Sequence, residues 1–92
     1  VQTSDGVTFE INPNPLHGKA MMKYSIPEDG LVNIQILRID GRLIKILSNE
    51  AKQAGEGVIG FDSEGFKPGS YLVKFYYKGR IEKTIIRKLF IY

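Results

Sequence analysis

His17 is the only histidine in this chain of 92 residues, and there is no cysteine. One imidazole without a thiol excludes a histidine acid/base pair, a cysteine nucleophile, a two-histidine metal site and thiolate zinc ligation. His17 itself is expected in an exposed loop after Pro15. Ser4, Ser25, Ser48, Ser63 and Ser70 supply hydroxyls, but none stands in a nucleophile-elbow setting or beside an obvious base, and turn roles account for them. Asp62-Ser63-Glu64 offers the oxygen ligands calcium takes, but without the dense carboxylate spacing of an EF-hand it reads more readily as a solvated turn. Gly55-Glu56-Gly57 has no following helix whose N-terminus would hold a phosphate. No catalytic residue, metal or cofactor is assigned, and the chain is not expected to be an enzyme.

Two features suit binding instead. Tyr71, Phe75, Tyr76 and Tyr77 lie beside Lys74 and Lys78, a composition that stacks on bases or sugars when exposed. Strand alternation puts Tyr71, Val73, Phe75 and Tyr77 on one face, mostly core, and Tyr76 on the other. Charge is also uneven: residues 1–66 hold six Lys/Arg against nine Asp/Glu, whereas residues 67–92 hold seven against one. Such a segment suits an anionic partner, or simply the solvent-facing positions of strands and turns.

The elements that carry these residues read as strands, because apolar positions recur with period two between Gly, Pro, Asn and Asp breaks. Val7, Phe9 and Ile11 alternate in a first strand, which Asn12-Pro13-Asn14-Pro15 ends as a stiff corner. Met22, Tyr24 and Ile26 form a second, stopped by Pro27, and Asp29-Gly30 turns into a third with Val32, Ile34 and Ile36 inward. Asp40-Gly41 predicts a two-residue type I′ hairpin pairing residues 34–39 with 42–47. Residues 48–56 read as a polar connection, 58–61 as a short fifth strand, 71–77 as a sixth and 81–92 as a seventh.

Seven strands with turns about every 8 to 12 residues predict an all-β, seven-stranded immunoglobulin-like antiparallel β-sandwich. Residues 1–6 read as a flexible linker from an upstream cargo and 7–92 as one domain. No run nears the roughly 18 apolar residues of a spanning helix, and the start lacks signal-peptide character. The segment reads as part of something longer.

The order of signals resembles the C-terminal sorting domain of proteins exported by the type IX secretion system of Bacteroidetes. The resemblance spans nearly the whole chain. It is carried by Asn12, Pro13, Asn14 and Pro15, by Tyr24-Ser25-Ile26-Pro27 with Asp29-Gly30, and by Val32 to Leu47 around Asp40, Gly41 and Arg42. Gly55 follows, then Phe66-Lys67-Pro68-Gly69-Ser70-Tyr71, similar to a Leu-x-x-Gly-x-Tyr element, and Gly79 with Lys88-Leu89-Phe90-Ile91-Tyr92. Phe66 stands where the family usually has Leu, and Asp40 adjoins Gly41 where the family often separates them.

The resemblance implies a removable address label. A folded cargo bearing it is recognised in the periplasm, moved across the outer membrane and cut free by a surface cysteine sortase, so that it ends at the cell surface or outside the cell. The implied partners are outer-membrane components of that machinery, the sortase included, and the cargo in the same chain; no nucleic acid and no direct membrane insertion are expected. Cleavage is expected near or before Ser4-Asp5-Gly6. The expected partner contacts are Lys83, Arg87, Lys88, Leu89, Phe90, Ile91 and Tyr92, on a last strand whose unpaired edge could add to a partner sheet. The opposing reading is that this strand only completes the sandwich. A fibronectin-like adhesion or spacer module, or a carbohydrate-binding module using Tyr76, Tyr77 and Tyr92, is the alternative function.

Overall fold

Alternating apolar residues stabilise a strand only when a second sheet covers their face, and this chain builds two such sheets. The computed structural model describes residues 6–16 and 18–92. Strands β1 (Thr8–Asn12), β2 (Lys19–Ile26) and β5 (Gly55–Asp62) form a three-stranded antiparallel sheet in the order β1-β2-β5. Strands β3 (Gly30–Arg38), β4 (Leu43–Lys52), β6 (Gly69–Lys78) and β7 (Glu82–Ile91) form a four-stranded one in the order β4-β3-β6-β7. The result is the immunoglobulin-like sandwich expected from the turn spacing.

The inward set is the one that period two selects. Phe9, Ala20, Met22, Tyr24 and Ile26 from one sheet meet Val32, Ile34, Ile36, Val73, Phe75 and Tyr77 from the other, all buried. The sheets are joined at ring level: Phe9 stacks on Phe75 with centroids 4.9 Å apart, and Tyr24 lies tilted 5.7 Å from the same ring. Aromatic pairs at these distances add about 0.5–1.5 kcal/mol beyond burial.

Two local expectations are corrected. Residues 48–56 are not a polar loop, because β4 runs on to Lys52 and β5 begins at Gly55. Residues 48–52 lie opposite Ile34 back to Gly30, so their main chain finds partners on β3 while the exposed Asn49 and Glu50 keep water at a sheet edge. The Asp40-Gly41 turn is also not type I′, which needs positive φ at both central residues. Only Gly41 has it, at +92°. Gly41 N–H donates to Arg38 C=O at 2.9 Å and Arg38 N–H to Arg42 C=O at 2.8 Å, which makes a three-residue loop ending in a left-handed glycine. Asp40 stays in the ordinary region because its Oδ1 accepts Arg42 N–H at 3.1 Å, a local bond that short acidic side chains favour.

The β3–β4 pairing slips at Ile34/Gln35 and again at Ile36/Leu37, leaving Leu47 and Ile44 without register partners. Bulges of this kind increase local twist and blunt an edge strand against stray pairing.

Candidate recognition surface

The last strand divides by residue parity. Along β7, Leu89 and Ile91 are buried, Ile85 is half-buried, and Glu82, Thr84, Ile86, Lys88 and Phe90 are exposed. The expectation that Leu89 and Ile91 offer contact surface to a partner is therefore corrected: period two turns both into the core, where Leu89 is fully enclosed. Lys83 and Arg87 share the inward parity of Leu89 yet remain exposed, and inward-pointing charge on an edge strand discourages a second sheet from closing over it. Tyr92 is exposed at 68%.

The strand's outer edge is occupied at its C-terminal end. Leu16 N–H donates to Phe90 C=O at 2.8 Å and Tyr92 N–H to Leu16 C=O at 3.0 Å, a parallel bridge between Leu16 and Ile91. Asn14 adds two bonds, Nδ2 to Lys88 C=O at 2.7 Å and Oδ1 from Phe90 N–H at 3.1 Å. An unpaired edge running the whole length of the strand is thus not present. Since outward groups alternate with those paired to β6, the stretch beyond this clamp is the shorter segment from Glu82 to Arg87.

The Asn-Pro-Asn-Pro corner, expected only to stop β1, supplies this clamp, and Leu16 behind it is fully buried. Sequence reasoning missed both roles because the partners lie at the other end of the chain. The other motif residues are structural too. Tyr71 donates its hydroxyl to Lys67 C=O four residues back, a tyrosine-corner arrangement. Phe66 packs edge-on between Tyr71 and Phe61 at 5.7 and 5.3 Å, so an aromatic ring fills the place of the family's leucine. Gly69 adopts φ +147° before the tyrosine. Tyr77 Oη donates to Glu28 C=O at 2.9 Å, and Cβ atoms at Gly30 or Gly79 would run into that ring.

Tyr77 is fully buried, so it cannot stack on a sugar as the carbohydrate reading requires. Tyr76 is half-buried on the outer face, its hydroxyl donating to Glu82 Oε2 at 3.1 Å. Ser63 is a buried staple whose Oγ accepts Gly18 N–H at 3.0 Å, and Asp62 Oδ1 accepts Glu64 N–H at 2.9 Å. Among the described residues no cluster of three metal-ligating side chains occurs. His17, Ser4 and Asp5 lie outside the described residues.

Charge is sorted between the sheets. The strands of the four-stranded sheet carry eight Lys/Arg against two Asp/Glu, those of the three-stranded sheet two against three. The basic final third seen in the sequence is therefore chiefly one side of the sandwich, because β6 and β7 both join the sheet of β3 and β4.

Compared with known families, residues 10–91 match the model described as the secretion system C-terminal sorting domain. No curated protein matches the chain.

Proposed function

The chain belongs to the family of secretion system C-terminal sorting domains, and we propose that it serves as the removable address label of a larger exported protein. As a type IX sorting signal it directs export toward the cell surface or the extracellular space. In this reading the label follows a cargo joined before residue 7, is recognised in the periplasm by outer-membrane components, crosses with the cargo and is cut away by a surface sortase. The work is binding, and no chemistry is asked of the chain itself. The observation that carries the reading is the family match over residues 10–91. It gains support from the motif residues Asn14, Gly41, Tyr71 and Gly79, which have definite tasks in this fold.

Lys83, Arg87, Lys88, Phe90 and Tyr92 are the contact residues within β7 and its end. Leu89 and Ile91 act indirectly, by holding the strand in the core. A test that deletes residues 88–92 would strip Leu89 and Ile91 from that core, at roughly 2–5 kcal/mol for each large-to-small loss, and would confuse unfolding with lost recognition. The informative experiment fuses the chain behind a fluorescent protein with a periplasmic signal in a type IX secreting host. The native fusion is expected outside the cell, and the surface variant Lys88→Glu/Phe90→Ser is expected to accumulate in the periplasm while still folded. Retention of the native fusion in the periplasm overturns the reading.

A further inference from the structure

The outer face of the four-stranded sheet carries an apolar row that no motif explains. Leu43, Leu37 and Leu72 stand opposite one another in register across β4, β3 and β6, and Lys88 continues the row onto β7. The next row runs Ile46, Gln35, Lys74 and Ile86 across the four strands. Leu43, Ile46 and Ile86 are 52%, 48% and 53% exposed, although large aliphatic side chains grouped on a surface usually mark an interface.

Three observations say what covers this face. Among the described residues Lys74 and Lys88 have no ion-pair partner, and the carboxylate nearest the apolar end, Asp40, is held by Arg38 at 3.7 Å. Gln35 stands within the second row and Asn33 and Asn49 follow directly behind it, so amides wanting bonds of defined geometry adjoin the apolar part, which suits a folded protein surface more than a lipid headgroup layer. This end of the sheet is also the one remote from the start of β1. β1 begins at the opposite end, where Thr8 pairs with Ser25 near the Ile26–Gly55 pair, whereas Leu43 and Phe90 lie at the end where β3 finishes and β6 starts.

We infer that the outer face of β3, β4 and β6, centred on Leu37, Leu43, Ile46 and Leu72 and bordered by Lys74 and Lys88, docks a protein of the export machinery that presents an apolar patch rimmed by carboxylates. This rests on the sorting reading and deepens it. Lys88 and Phe90 become one margin of a broad sheet-face contact, and residues of the β3–β4 hairpin become its centre. A second copy of the chain is a poor occupant, since two such faces would oppose lysine to lysine.

The test compares three double variants in the same fluorescent fusion and host. Leu43→Ser/Ile46→Ser removes apolar contact, Lys74→Glu/Lys88→Glu reverses the border charge, and Met21→Ser/Val58→Ser alters equally exposed positions, 47% and 52%, on the opposite sheet. With cooperative melting retained, the first two are expected to lower exported fusion about tenfold or more and the third to leave it unchanged. If the serine pair on β4 fails to fold, the charge pair, which lies on the outer face of the sheet, decides alone. Native-level export of the folded variants, or an equal fall in the opposite-sheet control, overturns the inference while native export keeps the sorting reading intact. Failure of the native fusion to export sinks the sorting reading and the inference with it. Sedimentation of the native chain with phosphatidylglycerol vesicles, lost in Leu43→Ser/Ile46→Ser, reassigns the face to lipid and overturns it. A concentration-dependent dimer lost in the same variant reassigns it to self-association and does the same.

Discussion

Asn14 holds the main chain of Phe90, 76 residues away, with its side-chain amide: Oδ1 accepts Phe90 N–H at 3.1 Å while Nδ2 donates to Lys88 C=O at 2.7 Å. A corner near the start of the chain thereby finishes the edge of its last strand. Removing the amide in Asn14→Ala leaves two main-chain groups to water, at about 0.5–1.5 kcal/mol per bond. The expected loss is about 1–2 kcal/mol in urea denaturation with an unchanged slope, together with faster amide exchange at Phe90. An Asn14→Ala protein as stable as the native one, with Phe90 equally protected, would show that Leu16 alone seals the edge.

Tyr71 separates packing from hydrogen bonding. Tyr71→Phe keeps the edge-on contact with Phe66 but loses the bond to Lys67 C=O, so about 1 kcal/mol of stability should go. Tyr71→Ala should cost about 3–5 kcal/mol by the usual scale for large aromatics, or somewhat less because the ring is only half-buried. Equal losses in the two variants would deny the hydroxyl its role.

Gly57 faces the Tyr24 ring across the β2–β5 pair, and a Cβ at that position would overlap the ring. Gly57→Ala is accordingly expected to destabilise by roughly 1–3 kcal/mol through overpacking. In a double-mutant cycle, Tyr24→Leu should relieve part of that cost, giving a coupling of opposite sign to the single effects. Strict additivity would mean that the strand shifts instead.

Tyr76 provides the pH test. Desolvation first, then the hydrogen bond to Glu82 and its negative charge, push the phenol above its ordinary value. A folded pKa above the unfolded one contributes stability that is complete below the unfolded tyrosine value of about 10 and is lost as pH rises through the folded value. The ultraviolet titration of Tyr76, obtained by difference from Tyr76→Phe, should therefore show late ionisation, and Glu82→Gln should bring that transition down. An unmoved transition would remove Glu82 from the account.

Much of the fold was legible in the sequence. Phe9, Met22, Ile34 and Phe75 fall on inward faces because a strand's side-chain period is two whatever its neighbours. The Asp40-Gly41 pair announced a hairpin, but not its loop length, because the choice between turn types rests on Asp40 bonding to Arg42 N–H rather than on the dipeptide itself. Residues 48–52 looked like loop because their side chains are polar; they are strand because β3 offers their main chain partners, an edge condition that composition does not encode.

For the recognition surface the division runs differently. The sequence by itself determined that a histidine acid/base pair and a cysteine nucleophile have no residues to be built from, since it holds one histidine and no thiol. It also showed a basic final third and an ordered set of motifs. Only the tertiary structure decided that Leu89 and Ile91 belong to the core, that Asn14 and Leu16 close the edge beside them, and that β6 and β7 join β3 and β4 to gather the cations on one sheet. The reason is physical: residue type and period are local, but which strand stands beside which is set by pairings between residues as much as 76 positions apart.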